Sequence, residues 1–402
     1  SASWSRLHRL FSTLERAVGE YRLDPAAWYR LGEARLHYGV YLGMTDRQAY
    51  DAFVRSAELD SAYIPAYLHL PELSLAIEGV EGARRAVAAY LALSPIGYQA
   101  DGFRLTDALL DTSRVGSPEV QLMLDTLPLE ALDPAWFNLN RAVDPVESAV
   151  RIARAKHQRF ASQPQTPNER LALASVLAFR GHLKQAYELL RATESASLSS
   201  GALWPQLAEL GAVPPDTADA LFRSWLRNGN GWGIWQSLRW WAKRGDTTAL
   251  REAAVLWDTV AVPPSAIAAI EAKRAAVAYL SLARGDTAGA VHGLAEFTRW
   301  PWGYAYVHQL TLGELLAVTG ADLEAARILD QGPDMLMNNP MPAEILWTLE
   351  RGRVNERLGN REGAIRAYSY VARAWADADS MLQPLVQEAG TALERLGREP
   401  RR

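Results

Sequence analysis

Apolar residues along this chain fall in helix-like runs that stop at a glycine, yield to one or two polar residues, and resume in a second run with an alanine about five residues after the glycine. The phrase reads Arg180-Gly181-His182 with Ala186, Arg284-Gly285-Asp286 with Ala290, Gly320-Ala321-Asp322 with Ala325, and Gly359-Asn360-Arg361 with Ala364. Looser copies centre on Gly79 and Gly245. Glycine ends a helix at low cost because it takes the left-handed conformation, and a small alanine lets the next helix pack closely on the first. Each phrase therefore predicts a helical hairpin. From Gly245 to Gly359 the glycines recur at intervals of 40, 35 and 39 residues, the spacing of a degenerate helical repeat. No sustained two-residue alternation rich in Val, Ile and Thr is present, and the one hairpin-like signal, Asn228 to Gly231, is ambiguous. Nearly all of the chain is expected to be helix.

The residues at these positions resemble the tetratricopeptide repeat family. Leu312-Gly313 with Gly320, Ala325 and Leu329, then Gly352 with Gly359, Ala364 and Tyr368, reproduce the family's spacing in two consecutive copies. Near the start, Trp28, Leu31 and Gly32 match with Ala49 and Phe53 after a short insertion. The stretch from Asp24 to Gly39, followed by Ala57-Glu58-Leu59-Asp60, also resembles the repeat regions attached to bacterial serine/threonine kinases and transcriptional activators, although no kinase or DNA-binding signature is present. The resemblance covers about two thirds of the chain and implies an all-α, right-handed superhelical solenoid of about nine or ten helix pairs. Residues 95 to 165 match poorly and read as divergent hairpins or an interruption of the array.

Proline and serine clusters mark the joints: Gln163 to Pro167, Ser195 to Ser200, Val213 to Pro215 and Val262 to Pro264. They divide the chain into an N-terminal set of repeats over 1–160 and a C-terminal set over 161–402. The segment Leu382 to Leu396 reads as a capping helix over the last apolar face.

Composition narrows the function. Of 402 residues, 49% are hydrophobic and 22% charged, enough apolar material for a large core. Lys and Arg number 42 against 46 Asp and Glu, a net charge of −4; nucleic acid is not an expected partner, since that needs a concentrated basic face. No apolar run reaches the roughly 18 residues that a membrane-spanning helix requires. Cysteine is absent, which removes disulfides, thiolate nucleophiles and zinc–thiolate sites. The sequence begins at Ser1, without methionine, and an extracytoplasmic location, periplasm or cell surface, is the expectation, with the cytoplasm as the alternative.

Phosphate loops, His-Glu-x-x-His helices and Gly-x-Ser-x-Gly elbows are all missing, so no catalytic residue, cofactor or metal is expected. Glu33 and His37 lie four apart, and His69 and Glu72 three apart. Each pair would share a helix face, as ligands do in helical metal sites, but the plainer expectation is a packed or hydrogen-bonded histidine in each repeat. Gly229 to Gly233 superficially resembles a nucleotide loop; no strand precedes it, and a helix-start linker is expected.

Aromatic residues are the anomaly. Fourteen tryptophans exceed what a generic repeat array needs, and they cluster at Trp232, Trp235, Trp240, Trp241 and Trp257, then at Trp300 and Trp302. If Gly245 marks a hairpin turn, the family's spacing implies that Trp232, Trp235, Arg239 and Lys243 lie on the inner face of a first helix. The same mapping places Tyr279, Glu314, Arg353 and Arg357 there, and Tyr29, Glu33, His37 and His69 at the other end. Trp, Tyr and Arg anchor interfaces because each buries a large area while keeping a polar handle; the competing account is that the tryptophans fill the core. The turn from Arg299 to Tyr306 holds Trp300, Trp302 and Tyr304 beside proline and glycine, a composition suited to contact with a partner or another copy. By analogy with the family, the expected function is a non-catalytic scaffold binding a protein or peptide in its concave groove. The alternatives are a structural subunit of an envelope assembly, built from copies of the chain or with other subunits, and a carbohydrate or small-ligand receptor.

Overall fold

The computed structural model describes residues 2–42, 44–111, 113–114, 116–144, 147–160, 167–192, 198–257, 266–296, 306–332 and 339–398. Among them there are 22 α-helices and no strand. The chain divides into two compact units, Ser1–Glu169 and Arg170–Arg402.

The first unit holds α1 (Ala2–Glu20), α2 (Pro25–Tyr38), α3 (Asp46–Leu59), α4 (Leu70–Glu78), α5 (Val80–Ala92), α6 (Tyr98–Leu110), α7 (Pro118–Thr126), α8 (Leu129–Leu139) and α9 (Ser148–Phe160). Helices α2 and α3 form one hairpin and α4 and α5 another. Gly32 of α2 faces Phe53 of α3 so closely that a Cβ on the glycine would lie 2.8 Å from the ring. This contact is why the glycine, the aromatic and their spacing occur together. The described part of the region that matched the repeat poorly is helical, but its pairing changes: α6 packs more extensively on α8 than on α7, and a Cβ on Gly102 would strike the Ala131 carbonyl oxygen at 2.6 Å.

Helix α10 (Pro167–Phe179) carries the chain into the second unit, which continues through α11 (Leu183–Arg191), α12 (Leu198–Glu209), α13 (Pro215–Arg227), α14 (Gly231–Lys243), α15 (Thr247–Leu256) and α16 (Ala266–Ala283). It ends with α17 (Thr287–Ala295), α18 (Tyr306–Val318), α19 (Asp322–Leu329), α20 (Pro342–Arg357), α21 (Arg361–Ala374) and α22 (Gln383–Arg398). Each recurring glycine phrase is a hairpin turn of one construction. Gly181, Gly245, Gly285, Gly320 and Gly359 all have positive φ, and the residue after each donates its N–H to a carbonyl five positions back, as Asp286 does to Ser281 at 2.9 Å and Asn360 to Asn355 at 2.8 Å. That bond satisfies a carbonyl the helix end leaves open. In three turns the same residue then opens the next helix: Asp246, Asp286 and Asn360 accept from the N–H groups of Ala249, Gly289 and Gly363. The alanines five after Gly181, Gly285, Gly320 and Gly359 are fully buried. Asn228 to Gly231 is likewise a helix start, with Asn230 accepting from Gly233 N–H at 3.2 Å.

Within this second unit the hairpins curl until the first meets the last. Trp375 Nε1 donates to the Phe179 carbonyl at 3.0 Å, Asp379 N–H donates to the Gly181 carbonyl at 3.0 Å, and Lys184 N–H donates to Asp379 Oδ2 at 2.8 Å. Across the same closure, Ala343 N–H donates to Gln206 Oε1 at 3.0 Å. The first helices α12 and α14, α14 and α16, and α18 and α20 pack side by side, so residues expected to line a groove face one another.

Candidate functional site

Helix α14 buries ten consecutive residues from Gly233 to Ala242, so it is covered on all sides, with Gln236, Ser237 and Arg239 buried among its aromatic residues. Trp235 and Arg239 on it are 3% and 4% exposed, and Tyr279 on α16 is 0% exposed. Trp232 is half-buried against α12, where a Cβ on Gly201 would lie 2.9 Å from its ring. Lys243, at the end of α14, keeps 49% of its side chain exposed. Trp300, Trp302 and Tyr304 lie outside the described residues.

Arg239 organises the closed centre. Its Nε donates to Glu209 Oε2 at 2.9 Å, one terminal nitrogen donates to Thr311 Oγ1 at 2.6 Å and to Glu314 Oε2 at 2.7 Å, and the other donates to Glu314 Oε1 at 2.9 Å. Lys243 Nζ adds a second cation on Glu209 at 2.8 Å. Burial pulls the Arg239 pKa down, but the two carboxylates outweigh it and raise it. Glu209 is the mirror case: burial raises its pKa, and Arg239 and Lys243 bring it below the ordinary value. Such a network holds its charges only because every partner is present. Beside it the Tyr279 hydroxyl lies 2.8 Å from His308 Nδ1 and 3.0 Å from Thr311 Oγ1, and the Trp235 ring meets the His308 ring edge-on at 4.3 Å. Burial, reinforced by Arg239, drives the His308 pKa down to about 3. A neutral imidazole, a protonated phenol and paired carboxylates fill this centre.

Arg353 and Arg357 behave differently. They stand one turn apart on α20, with 34% and 40% of their side chains exposed, and line a shallow cleft of about 370 Å³ with Glu356, Tyr368, Glu388, Thr391, Ala392 and Arg395. Arg353 grips Glu388 with two bonds of 2.6 and 2.7 Å and Glu350 with one of 2.8 Å. The Glu388 bond is the chief reason its pKa rises above the ordinary arginine value. Arg357 has a looser hold, one bond of 2.8 Å to Asp322 and a 3.8 Å approach to Glu350. Arg395 reaches Glu356, which also accepts from the Tyr368 hydroxyl at 2.9 Å. Glu388, Thr391 and Arg395 are not singled out by the sequence, in which the stretch that forms α22 has the pattern of a capping helix. Their spacing of three and four along that helix was the available signal.

In the first unit the structure brings into contact residues that the repeat register places at the same end of the inner face. Glu33 and His37 project from α2, and His69, at the start of α4, meets them: Glu33 Oε1 lies 3.2 Å from His69 Nε2, and Glu33 Oε2 lies 3.6 Å from His37 Nε2. Glu72 Oε1 sits 2.8 Å from His69 Nδ1. Burial opposes the charge on both central groups, yet the His37 and His69 contacts take the Glu33 pKa down to about 2, and Glu33 with Glu72 lift that of His69 to about 9. Tyr29 completes the face one turn before Glu33; burial and that carboxylate push its hydroxyl up to about 12.

No protein-family model and no curated protein sequence matches the chain. Among solved structures, 99% of the chain aligns with 73% of a chain in the structure of Naa15/Naa10 bound to HypK-THB, at 12% identity and a TM-score of 0.27. It aligns over 99% of its length with 96% of the P58(IPK) tetratricopeptide-repeat domain, at 12% identity and a TM-score of 0.21. A circular tandem repeat protein is covered over 88% of its length, at 13% identity and a TM-score of 0.16. Among the described residues no helix is long and apolar enough to cross a membrane.

Proposed function

We propose that the chain is a non-catalytic scaffold that binds a protein or peptide partner through the inner helices of its second unit. The observation that carries this reading is the cleft between α20 and α22. Three arginines there, Arg353, Arg357 and Arg395, keep 34%, 40% and 53% of their side chains exposed. Each already holds a carboxylate of this chain, so an acidic side chain or a C-terminal carboxylate of a partner can take over an existing bond rather than create one. The planar guanidinium fork suits such an exchange. Arg357, with its single short contact to Asp322, is the position where a partner displaces least. Lys243 extends the cationic surface of the same class of inner helix.

The strongly shifted groups support a binding role over a catalytic one. Arg239, Glu209 and Tyr279 spend their hydrogen bonds on one another and on their neighbours, whereas acid–base catalysis needs such groups to converge on an open site.

The test is affinity capture from the native source with two baits, the unsubstituted chain and the Arg353→Glu/Arg357→Glu variant, with circular dichroism to confirm equal folding. A partner held by the first and weakened at least about tenfold by the second is the expected outcome, since reversal of two interfacial charges costs more than about 1.4 kcal/mol. Equal retention of every partner by both baits overturns the assignment of the site.

A further inference from the structure

Partner binding makes no use of the histidine and glutamate constellation in the first unit. We propose that Glu33, His37 and His69 form a binding site for a divalent transition-metal ion of the zinc class, with Glu72 as the residue that orients His69.

The donor spacing fits a metal. Arms of about 2.1 Å at a tetrahedral angle place neighbouring ligand atoms about 3.4 Å apart. Each imidazole Nε2 lies near that distance from one oxygen of the Glu33 carboxylate, His69 at 3.2 Å from Oε1 and His37 at 3.6 Å from Oε2. The donor atoms of all three residues fall within 4.8 Å of one another, so a small turn of the two rings closes the remaining edge. Two imidazoles and one carboxylate are a donor set for zinc and its neighbours, not for calcium or magnesium, which take oxygen ligands.

A second observation, independent of that spacing, concerns the far side of the ring. Glu72 Oε1 at 2.8 Å holds the proton on His69 Nδ1, so an ion that displaces the proton between Nε2 and Glu33 meets a lone pair already directed at the site. Metal-binding histidines are oriented in this way by an outer hydrogen bond. A structural ion pair between Glu33 and a single imidazolium would need neither the second histidine nor the outer carboxylate.

The surroundings hold the ligands yet leave them reachable. Glu33 and His37 share one face of α2 at a spacing of four, and α2 is seated on α3 by the close approach of Gly32 to Phe53. The Phe53 ring lies 5.6 Å from that of His69 and 5.9 Å from that of Tyr29, forming an aromatic wall on one side. The side chains of Glu33, His37 and His69 are 29%, 30% and 26% exposed, so an ion can reach them from solvent. The absence of cysteine from the whole chain means that no thiolate competes for the ion.

The experiment uses the full, untagged chain stripped with chelator. Zn²⁺ is titrated in by calorimetry and Co²⁺ by visible absorption. Saturable binding of one ion per chain is expected, with a Co²⁺ spectrum of tetrahedral intensity. His37→Gln or His69→Gln should weaken binding at least about 100-fold, Glu72→Gln about 10- to 100-fold through loss of the outer hydrogen bond, and His292→Gln not at all. Unfolding midpoints in chelator separate loss of the site from loss of the fold. Should a histidine variant fail to fold, X-ray absorption of the Zn²⁺-loaded unsubstituted chain decides, with a shell of two imidazole nitrogens plus oxygen expected. Absence of saturable binding, full binding by the His37→Gln/His69→Gln variant, or a shell without two imidazoles would overturn the proposal.

Discussion

His308 shows how far burial can move a single group. Its ring is 2% exposed, and its pKa has fallen from 6.5 to about 3. Between those values the unfolded chain binds a proton that the folded chain refuses, so stability rises with pH across that window, is fully present above it, and is lost as pH falls. Urea midpoints measured near pH 7 and near pH 4.5 should therefore drop on acidification, and His308→Gln, which keeps a hydrogen-bonding group beside Tyr279, should flatten that drop. An unchanged pH slope in the variant would assign the acid sensitivity elsewhere. The sequence singled out Trp235, Arg239 and Tyr279 by type and register. It placed Glu314 on the same face but did not reveal the setting, because Glu209 and Thr311 reach Arg239 from 30 and 72 residues away and the bond to Glu314 spans 75. For Glu33 and His69 the register shows a shared end of the inner face, but the contact between them comes only from the packing of α2 against the start of α4.

Hairpins were the most legible level, because their punctuation is local chemistry. A glycine in the left-handed conformation, the backbone bond behind it and a side-chain cap ahead of it involve fewer than ten successive residues, as in Ser281 to Gly289. The caps differ among repeats, which gives a paired prediction. Asp286→Ala removes the 2.8 Å bond to Gly289 N–H and should cost about 1 kcal/mol. Ala321 sits at the equivalent place with backbone angles close to those of Asp286 and no side-chain cap, so Ala321→Asp should stabilise by up to about 1 kcal/mol. Denaturant titrations of both variants check the pair, and equal behaviour would mean that the cap contributes nothing in this array. Residues 95 to 165 were illegible for the complementary reason. There α6 packs mainly on α8, with less on α7, Pro134 lies inside α8, and a helix whose main partner is not its neighbour leaves no fixed interval in the sequence.

Closure belongs to the second unit as a whole, and Gly181 is where it can be probed. Its φ is +86°, and an added Cβ would come 2.5 Å from Ala378 Cβ; Gly245 has a φ of +67° with open space around it. Gly245→Ala should therefore cost only the left-handed strain, about 1–2 kcal/mol. Gly181→Ala should cost that plus about 1–3 kcal/mol of overpacking, and Ala378→Gly added to Gly181→Ala should recover much of the excess. Equal losses at the two glycines would place the first and last hairpins further apart than the bond between Asp379 and Gly181 requires. The bonds joining Phe179 to Trp375 and Lys184 to Asp379 span 196 and 195 residues. In an open array the terminal repeats have one neighbour each and fray first, so opening spreads inward unit by unit. With the ends latched, neither hairpin is terminal: amide exchange in α11 and α21 should be as slow as in the interior, and the unit should melt in one cooperative step. The latch also forms from contacts distant in sequence, which places it late on the folding path and makes it the slow event in refolding.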